Sequence, residues 1–194
     1  GASSDPNDIL LAGIAGVVAG AISMGLGAYI STKSEREFRL SEELREWWEV
    51  ENMPLEETAE IREIFAAKGI HGETLDDLVN QITRDKDLWV RTMMREELGF
   101  SDEPPKPMIS GFVMALAFAF AASLPVLPYL FWGGHQALVI SISLTGFGLF
   151  SLGMWRAHVT SGNMWKRGLE IVSLAVIAVL VAHLIGRLIG VAIV

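Results

Sequence analysis

The stretch AGAISMGLGAYISTKSEREF, residues 19–38, decides how the chain is to be folded. Its first half is uncharged and rich in glycine, and it passes directly into a charged second half. Neither glycine nor proline occurs between Gly27 and Pro54. The pattern therefore predicts one helix that leaves a bilayer and continues as a polar rod until Pro54 ends it.

Long uncharged runs indicate an integral membrane protein. Of the 194 residues 51% are hydrophobic, although 20% are charged. A helix needs about 20 apolar residues to cross roughly 30 Å of hydrocarbon. The uncharged runs are residues 9–30, 108–132, 137–155 and, with three interruptions, 168–194. We therefore expect an all-α polytopic membrane protein with four transmembrane helices, the first in residues 1–32 and three more in residues 108–194.

Residues 33–107 form a charged segment between the first two spans. From Lys33 to Lys106 there are 20 acidic and 11 basic residues, so the negative charge of the chain is concentrated here, which argues against nucleic acid as a partner. Helical periodicity and the glycines at 69 and 99 predict three short helices after Pro54, the second starting at Thr74 or Asp76. The segment is thus predicted to be a small helical bundle.

Basic residues near the span ends predict the orientation. They follow the first span, precede the second and lie in residues 156–167, whereas residues 131–136 contain none. The positive-inside rule therefore places the bundle in the cytoplasm. The chain has no cysteine, which excludes disulfides and thiolate metal sites. With no nucleophile–base arrangement and no phosphate loop, we expect neither an enzyme nor an organic cofactor.

The bundle carries acidic and thioether side chains at helical spacing. They are Glu46, Glu49, Glu57, Glu60, Met93, Met94 and Glu97. Residues three or four apart share one helix face, and the break at Pro54 folds the second glutamate pair back toward the first. Clustered carboxylates repel one another unless a cation neutralises them. A divalent metal is the predicted occupant.

The donor set narrows the choice of metal without fixing it. Oxygen ligands suit magnesium, calcium and manganese, whereas thioethers favour softer transition ions, so ferrous iron is a compromise. The alternative is that the glutamates form a solvated helix face and that Met93 and Met94 are core packing. Spacing alone leaves both interpretations open.

Two positions inside the apolar runs are further candidates. Met24 lies among glycines, either as packing at a close helix contact formed by Gly16 and Gly20 or as a thioether on an ion path. Glu170 lies three residues after Arg167, which predicts an interfacial ion pair rather than a proton relay.

Three motifs make the chain resemble the vacuolar iron transporter family. They are LLAGIAGVVAGAISMGLGAYISTKSEREF (residues 10–38), EWWEVENMPLEETAEIREIFAAKGI (residues 46–70) and MMREELGF (residues 93–100). The resemblance implies a homodimeric antiporter that exports cytosolic Fe2+ across a membrane in exchange for protons. It places the family's metal-binding glutamates and methionines on the seven bundle residues, and its membrane-path methionine on Met24. The donor set also admits Mn2+, Co2+ or Zn2+, and the leading alternative is a carrier of the same family with manganese as its main substrate.

The chain departs from the family pattern in two places. Ala28 stands where an acidic residue is often found, and the family's first membrane helix, which supplies an aspartate to the path, has no counterpart here. We therefore expect a truncated chain that does not transport as it stands. Rival classes are a metal-sensing or storage module and a membrane-anchored di-iron module, although di-iron bundles usually add Glu-x-x-His pairs and the bundle has none.

Overall fold

A computed structural model describes the backbone of residues 6–192 and the side chains of residues 7–187. Every element within that part of the chain is an α-helix, as predicted. The helices are α1 (Pro6–Asn52), α2 (Pro54–Ala67), α3 (Glu73–Thr83), α4 (Lys86–Glu96), α5 (Pro107–Ser123), α6 (Pro128–Phe131), α7 (Gly134–Val159) and α8 (Met164–Ala192). They form two compact units, one of residues 26–112 and the other of residues 1–25 with 113–194.

Helix α1 is continuous over 47 residues, so the apolar and charged halves of the opening stretch belong to one helix. Only Met53 separates it from α2, in which Pro54 occupies the first turn. Proline has no N–H and its ring clashes inside a helix, but it fits a helix start. The predicted end of α1 at Pro54 is confirmed.

Residues 26–112 close around one hydrophobic core supplied by α1 to α4. Its buried members are Val50, Ile61, Leu75, Val79, Ile82, Trp89, Val90, Met93 and Met94. In α3 the core residues recur every three or four positions, which is the pattern of a helix with one apolar face. Each large apolar side chain buried in this way contributes about 1.5–3 kcal/mol.

Glycines end the helices of this unit. Gly69 at φ 90° follows α2 and Gly99 at φ 70° follows α4, as the sequence predicts, because the left-handed region is nearly free of strain only for glycine. Helix α3 begins slightly earlier than predicted, directly after Gly72 at φ 65°.

The segment that follows α4 is fastened to the polar part of α1. The Arg39 guanidinium donates hydrogen bonds to the carbonyl oxygens of Ser101 and, at 3.2 Å, of Glu103. The rings of Phe38 and Phe100 lie 6.1 Å apart beside it. The ends of the helical unit are therefore held together by polar and aromatic contacts.

In the other unit, α5 and the turn after it approach the apolar part of α1 at glycines. A Cβ added to Gly13 would lie 2.9 Å from a methyl of Val126, and one added to Gly20 would clash with the ring of Phe118. No described atom lies within 4 Å of a Cβ added to Gly16. The predicted close contact is present, but Gly13 and Gly20 form it instead of Gly16.

Helices α7 and α8 pack against each other as a hairpin. At Gly153 an added Cβ would lie 2.7 Å from the carbonyl oxygen of Arg167, so the two backbones touch. Glycine permits this approach because it has no side chain.

Three described helices are long and apolar enough to cross a membrane: α1, α7 and the Met164–Arg187 part of α8. The remaining uncharged run does not form a single helix. Helix α5 has 17 residues, and Pro125 and Pro128 interrupt the run before the four residues of α6. A fourth span therefore stays a prediction.

Candidate metal site

The seven bundle residues singled out by spacing all lie in the unit of residues 26–112. Helix α1 carries Glu46 and Glu49 in its polar part, outside the apolar run of residues 9–30. Helix α2 carries the other glutamate pair, α4 carries both methionines, and Glu97 follows α4 directly. Met24 lies in the apolar part of α1, within the other unit.

Two of the carboxylates are buried. Glu46 is 1% exposed and Glu57 is 4% exposed. The Oε2 atom of each has no hydrogen-bond partner among the described residues. Burying a charged oxygen without a partner is unfavourable, so these two groups are the ones that would gain most from a bound cation.

Burial and mutual repulsion raise the pKa of these groups. For Glu46 burial is the larger cause and Glu97 the next, and together they raise the pKa to about 7. Burial, followed by repulsion from Glu60, raises the pKa of Glu57 to about 7. The pKa of Glu97 is also raised, first by burial and then by Glu60. Repulsion thus couples carboxylates from α1, from α2 and from the residue after α4.

Arg45 is a charged residue beside the acidic cluster that the sequence interpretation missed. Its guanidinium lies 2.9 Å from Glu42, 3.4 Å from Glu46 and 3.6 Å from Glu49. The chain therefore supplies a positive charge at one edge of the acidic cluster. The sequence does indicate these ion pairs, because Arg45 is three residues after Glu42 and four before Glu49, which are the spacings of helical ion pairs.

Met93 is fully buried and Met94 is 6% exposed, and both belong to the hydrophobic core. The packing role given above as the alternative is therefore confirmed for both side chains. A role as thioether ligands stays a prediction.

The cluster is not a closed metal cage. Within the described part of the chain, no three histidine, aspartate or glutamate side chains are close enough together to hold one ion. The carboxylates lie near enough to repel one another, but their side chains would have to rotate to share a cation.

The two candidates in the apolar runs differ in outcome. Met24 is 45% exposed on the surface of α1. Arg167 donates to Glu170 at 2.8 Å, so the predicted ion pair is confirmed.

The fold and these residues define a class: an all-helical integral membrane protein with a helical unit that carries a partly buried acidic cluster. A sequence model of the VIT family matches residues 1–187, and the chain belongs to that family. The resemblance seen in the three motifs is thereby confirmed.

Several vacuolar iron transporters are similar to the chain along most of its length. It is 36% identical over 191 residues to vacuolar iron transporter 1 of Arabidopsis thaliana, covering 97% of this chain and 76% of the relative. The vacuolar iron transporter 1 of Eucalyptus grandis is 36% identical over 180 residues, with 92% and 72% covered. The vacuolar iron transporter of Plasmodium falciparum is 33% identical over 198 residues, with 96% and 72% covered. These names point to a protein that is not an enzyme.

Proposed function

We propose that this protein is a homodimeric carrier that exports ferrous iron from the cytosol across a membrane in exchange for protons. One structural observation supports the metal-binding part of this proposal most directly. Glu46 and Glu57 each hold a buried carboxylate oxygen that has no hydrogen-bond partner in the described part of the chain, and other carboxylates repel both groups. The names of the relatives supply iron as the cargo.

Iron would be collected on the five glutamates, with Met93 and Met94 at the edge of the cluster. A carboxyl whose pKa is about 7 is half protonated at neutral pH. A metal ion can bind there only when the proton leaves. Binding and proton release are therefore coupled at the same groups, which supports an exchange of metal for protons.

The proposal includes a topology of four spans with the helical unit in the cytoplasm. Helices α5 and α6 and the turn between them would make the fourth crossing, because residues 107–131 contain no charged side chain. The basic residues at the neighbouring span ends support the cytoplasmic orientation. Met24, exposed on the apolar part of α1, would be a thioether on the membrane path.

The test is metal uptake by proteoliposomes under an imposed pH gradient, with the chain extended by any residues that precede Gly1 in its gene. We expect Fe2+ uptake that depends on the gradient and is lost in Glu46→Gln and Glu57→Gln. The matched control is Glu63→Gln, which removes an exposed glutamate of α2 that lies outside the cluster. It should transport normally.

Two results would change the proposal. Fe2+ uptake that does not depend on the pH gradient would exclude proton exchange from the mechanism. A strong preference for Mn2+ over Fe2+ would make the protein the manganese carrier that oxygen ligands also allow.

A further inference from the structure

A cavity of about 360 Å³ lies between α7 and α8. Its lining includes Ser141, Thr145 and Leu149 of α7, Val172 and Val176 of α8, and Pro125 of the turn after α5. A water molecule occupies about 30 Å³, so the space is many times larger than one water. Most of its walls are hydrocarbon, and both helices are long and apolar enough to span a membrane. A hydrocarbon chain therefore matches the lining of this cavity.

A basic and an aromatic side chain, Arg156 of α7 and Trp165 of α8, lie close to the turn that joins the two helices. Residues seven or eleven apart in a helix point in nearly the same direction, because each turn takes 3.6 residues. Arg156 is seven residues after Leu149 and eleven after Thr145. On α8, Trp165 is seven residues before Val172 and eleven before Val176. Arg156 and Trp165 thus lie on the two helix faces that line the cavity.

The guanidinium of Arg156 is available for a ligand. Its side chain is exposed and makes no ion pair with any described residue, whereas nearby Arg167 is paired with Glu170 at 2.8 Å. The indole ring of Trp165 is 69% exposed and is held by the ring of Phe150, with 5.6 Å between centroids.

Backbone hydrogen bonds order the turn between α7 and α8, near which Arg156 and Trp165 lie. The Gly162 N–H donates to the carbonyl of Ala157 at 2.8 Å, and the Thr160 N–H donates to the carbonyl of Arg156 at 3.0 Å. The backbone contact at Gly153 joins α7 to α8 one turn before Arg156.

We propose that this site binds one anionic phospholipid. Its phosphate pairs with the Arg156 guanidinium, Trp165 lies at headgroup level, and one acyl chain occupies the cavity between α7 and α8. Charge complementarity favours an anionic lipid, because residues 113–194 contain four basic residues and only one acidic residue. The proposal does not depend on metal transport.

Gly146 offers a substitution that fills the cavity. It belongs to the lining, and no described atom lies within 4 Å of a Cβ added there. Gly146→Leu therefore places a side chain in open space and also improves helix propensity. Gly186→Leu is the matched control, since Gly186 of α8 is equally open and does not line the cavity.

The experiment uses the whole chain in non-ionic detergent and counts bound lipids by native mass spectrometry during titration. The probes are phosphatidylglycerol, phosphatidylcholine and, as a competitor, inorganic phosphate. We expect one tightly bound phosphatidylglycerol, weaker phosphatidylcholine binding and no displacement by phosphate. Arg156→Gln should weaken phosphatidylglycerol binding about fivefold, the effect of one basic residue at an anionic surface, and Gly146→Leu should abolish retention of either lipid.

Two charge variants separate this site from a general electrostatic effect. Arg187→Gln removes a cation that lies away from the turn and should bind lipid as the unsubstituted chain does. Equal weakening in Arg187→Gln and Arg156→Gln would overturn the proposal, as would tight lipid binding by a folded Gly146→Leu protein. Displacement of the lipid by millimolar phosphate would make the site a phosphate site instead. Arg156 is exposed, so its variant provides the test independently of the cavity substitution.

Discussion

The guanidinium of Arg45 lies 3.4 Å from the carboxylate of Glu46, which is the most deeply buried acidic group of the cluster. The same guanidinium reaches Glu42 and Glu49. A positive charge supplied by the chain therefore already offsets part of the repulsion that a metal ion would relieve. Because the Arg45 side chain is 47% exposed, water screens its charge and its effect is modest.

Removing this charge should strengthen metal binding. In Arg45→Gln the cluster keeps its carboxylates but loses their internal cation, so a divalent ion gains more by entering. We expect up to about fivefold tighter Co2+ binding, which corresponds to the usual energy of an exposed ion pair. Isothermal titration calorimetry at pH 7.5 measures the change.

The control for this substitution is Arg62→Gln. Arg62 pairs with Asp76 at 2.5 Å, and Asp76 is not one of the cluster residues. Its loss changes the net charge of the chain equally and should leave Co2+ affinity unchanged. Weaker binding by Arg45→Gln would show that Arg45 positions the carboxylates instead of competing with the metal.

The sequence predicted those parts of the fold that depend on local rules. The continuation of α1 to Asn52 follows from the absence of glycine and proline between Gly27 and Pro54, and the ends of α2 and α4 follow from Gly69 and Gly99. The glutamate spacing predicted which carboxylates share a helix face. Each of these features is determined by residues close together in the chain.

Other features depend on contacts between distant residues. The spacing of Glu46 and Glu57 cannot show that these two carboxylates are buried, because their burial depends on how the helices of the unit pack together. Met93 and Met94 entered the core for the same reason. The helix contact involves Gly13 and not Gly16, because Val126 in the turn after α5 packs against Gly13.

The metal-free helical unit should become more stable as the pH falls from 8 toward 5. Glu46 and Glu57 have folded-state pKa values of about 7, raised from 4.5. Between these values the folded state binds more protons than the unfolded state, so the free energy of unfolding rises as pH falls. The gain per group is at most about 3 to 4 kcal/mol. It is complete once pH falls below the unfolded value and is lost as pH rises through 7.

Chemical unfolding of residues 33–107, followed by circular dichroism, measures this dependence. The segment contains every core residue from Val50 to Met94, so its core is complete. Glu57→Gln replaces a buried carboxylate with a neutral group. It should therefore raise the free energy of unfolding at pH 8 and make that free energy depend less on pH. Glu63→Gln should keep the slope. A domain that loses stability steadily from pH 8 to 5 would contradict the raised pKa values.

Metal binding should show the opposite pH dependence. Protons and metal compete for the same carboxylates, so Co2+ affinity should fall between pH 7.5 and 5.5, by roughly tenfold per pH unit for each carboxyl that must lose its proton. With ordinary carboxyl pKa values near 4.3 the affinity would stay nearly constant over this range. Calorimetry in buffers of different ionisation enthalpy also counts the protons released. Constant affinity and no proton release would show that no carboxyl with a pKa near 7 binds the metal.

Met24 tests the membrane part of the proposal. Its side chain is 45% exposed on the apolar part of α1. Met24→Leu conserves volume and should cost under about 1.5 kcal/mol in stability. If the thioether contacts the ion in transit, Fe2+ uptake by proteoliposomes should drop sharply while Co2+ titration of the helical unit is unchanged. The control is Met114→Leu in α5, a methionine 40% exposed in an apolar helix, which should transport normally. Normal flux through Met24→Leu would leave Met24 a packing residue, because leucine supplies the same bulk without sulfur.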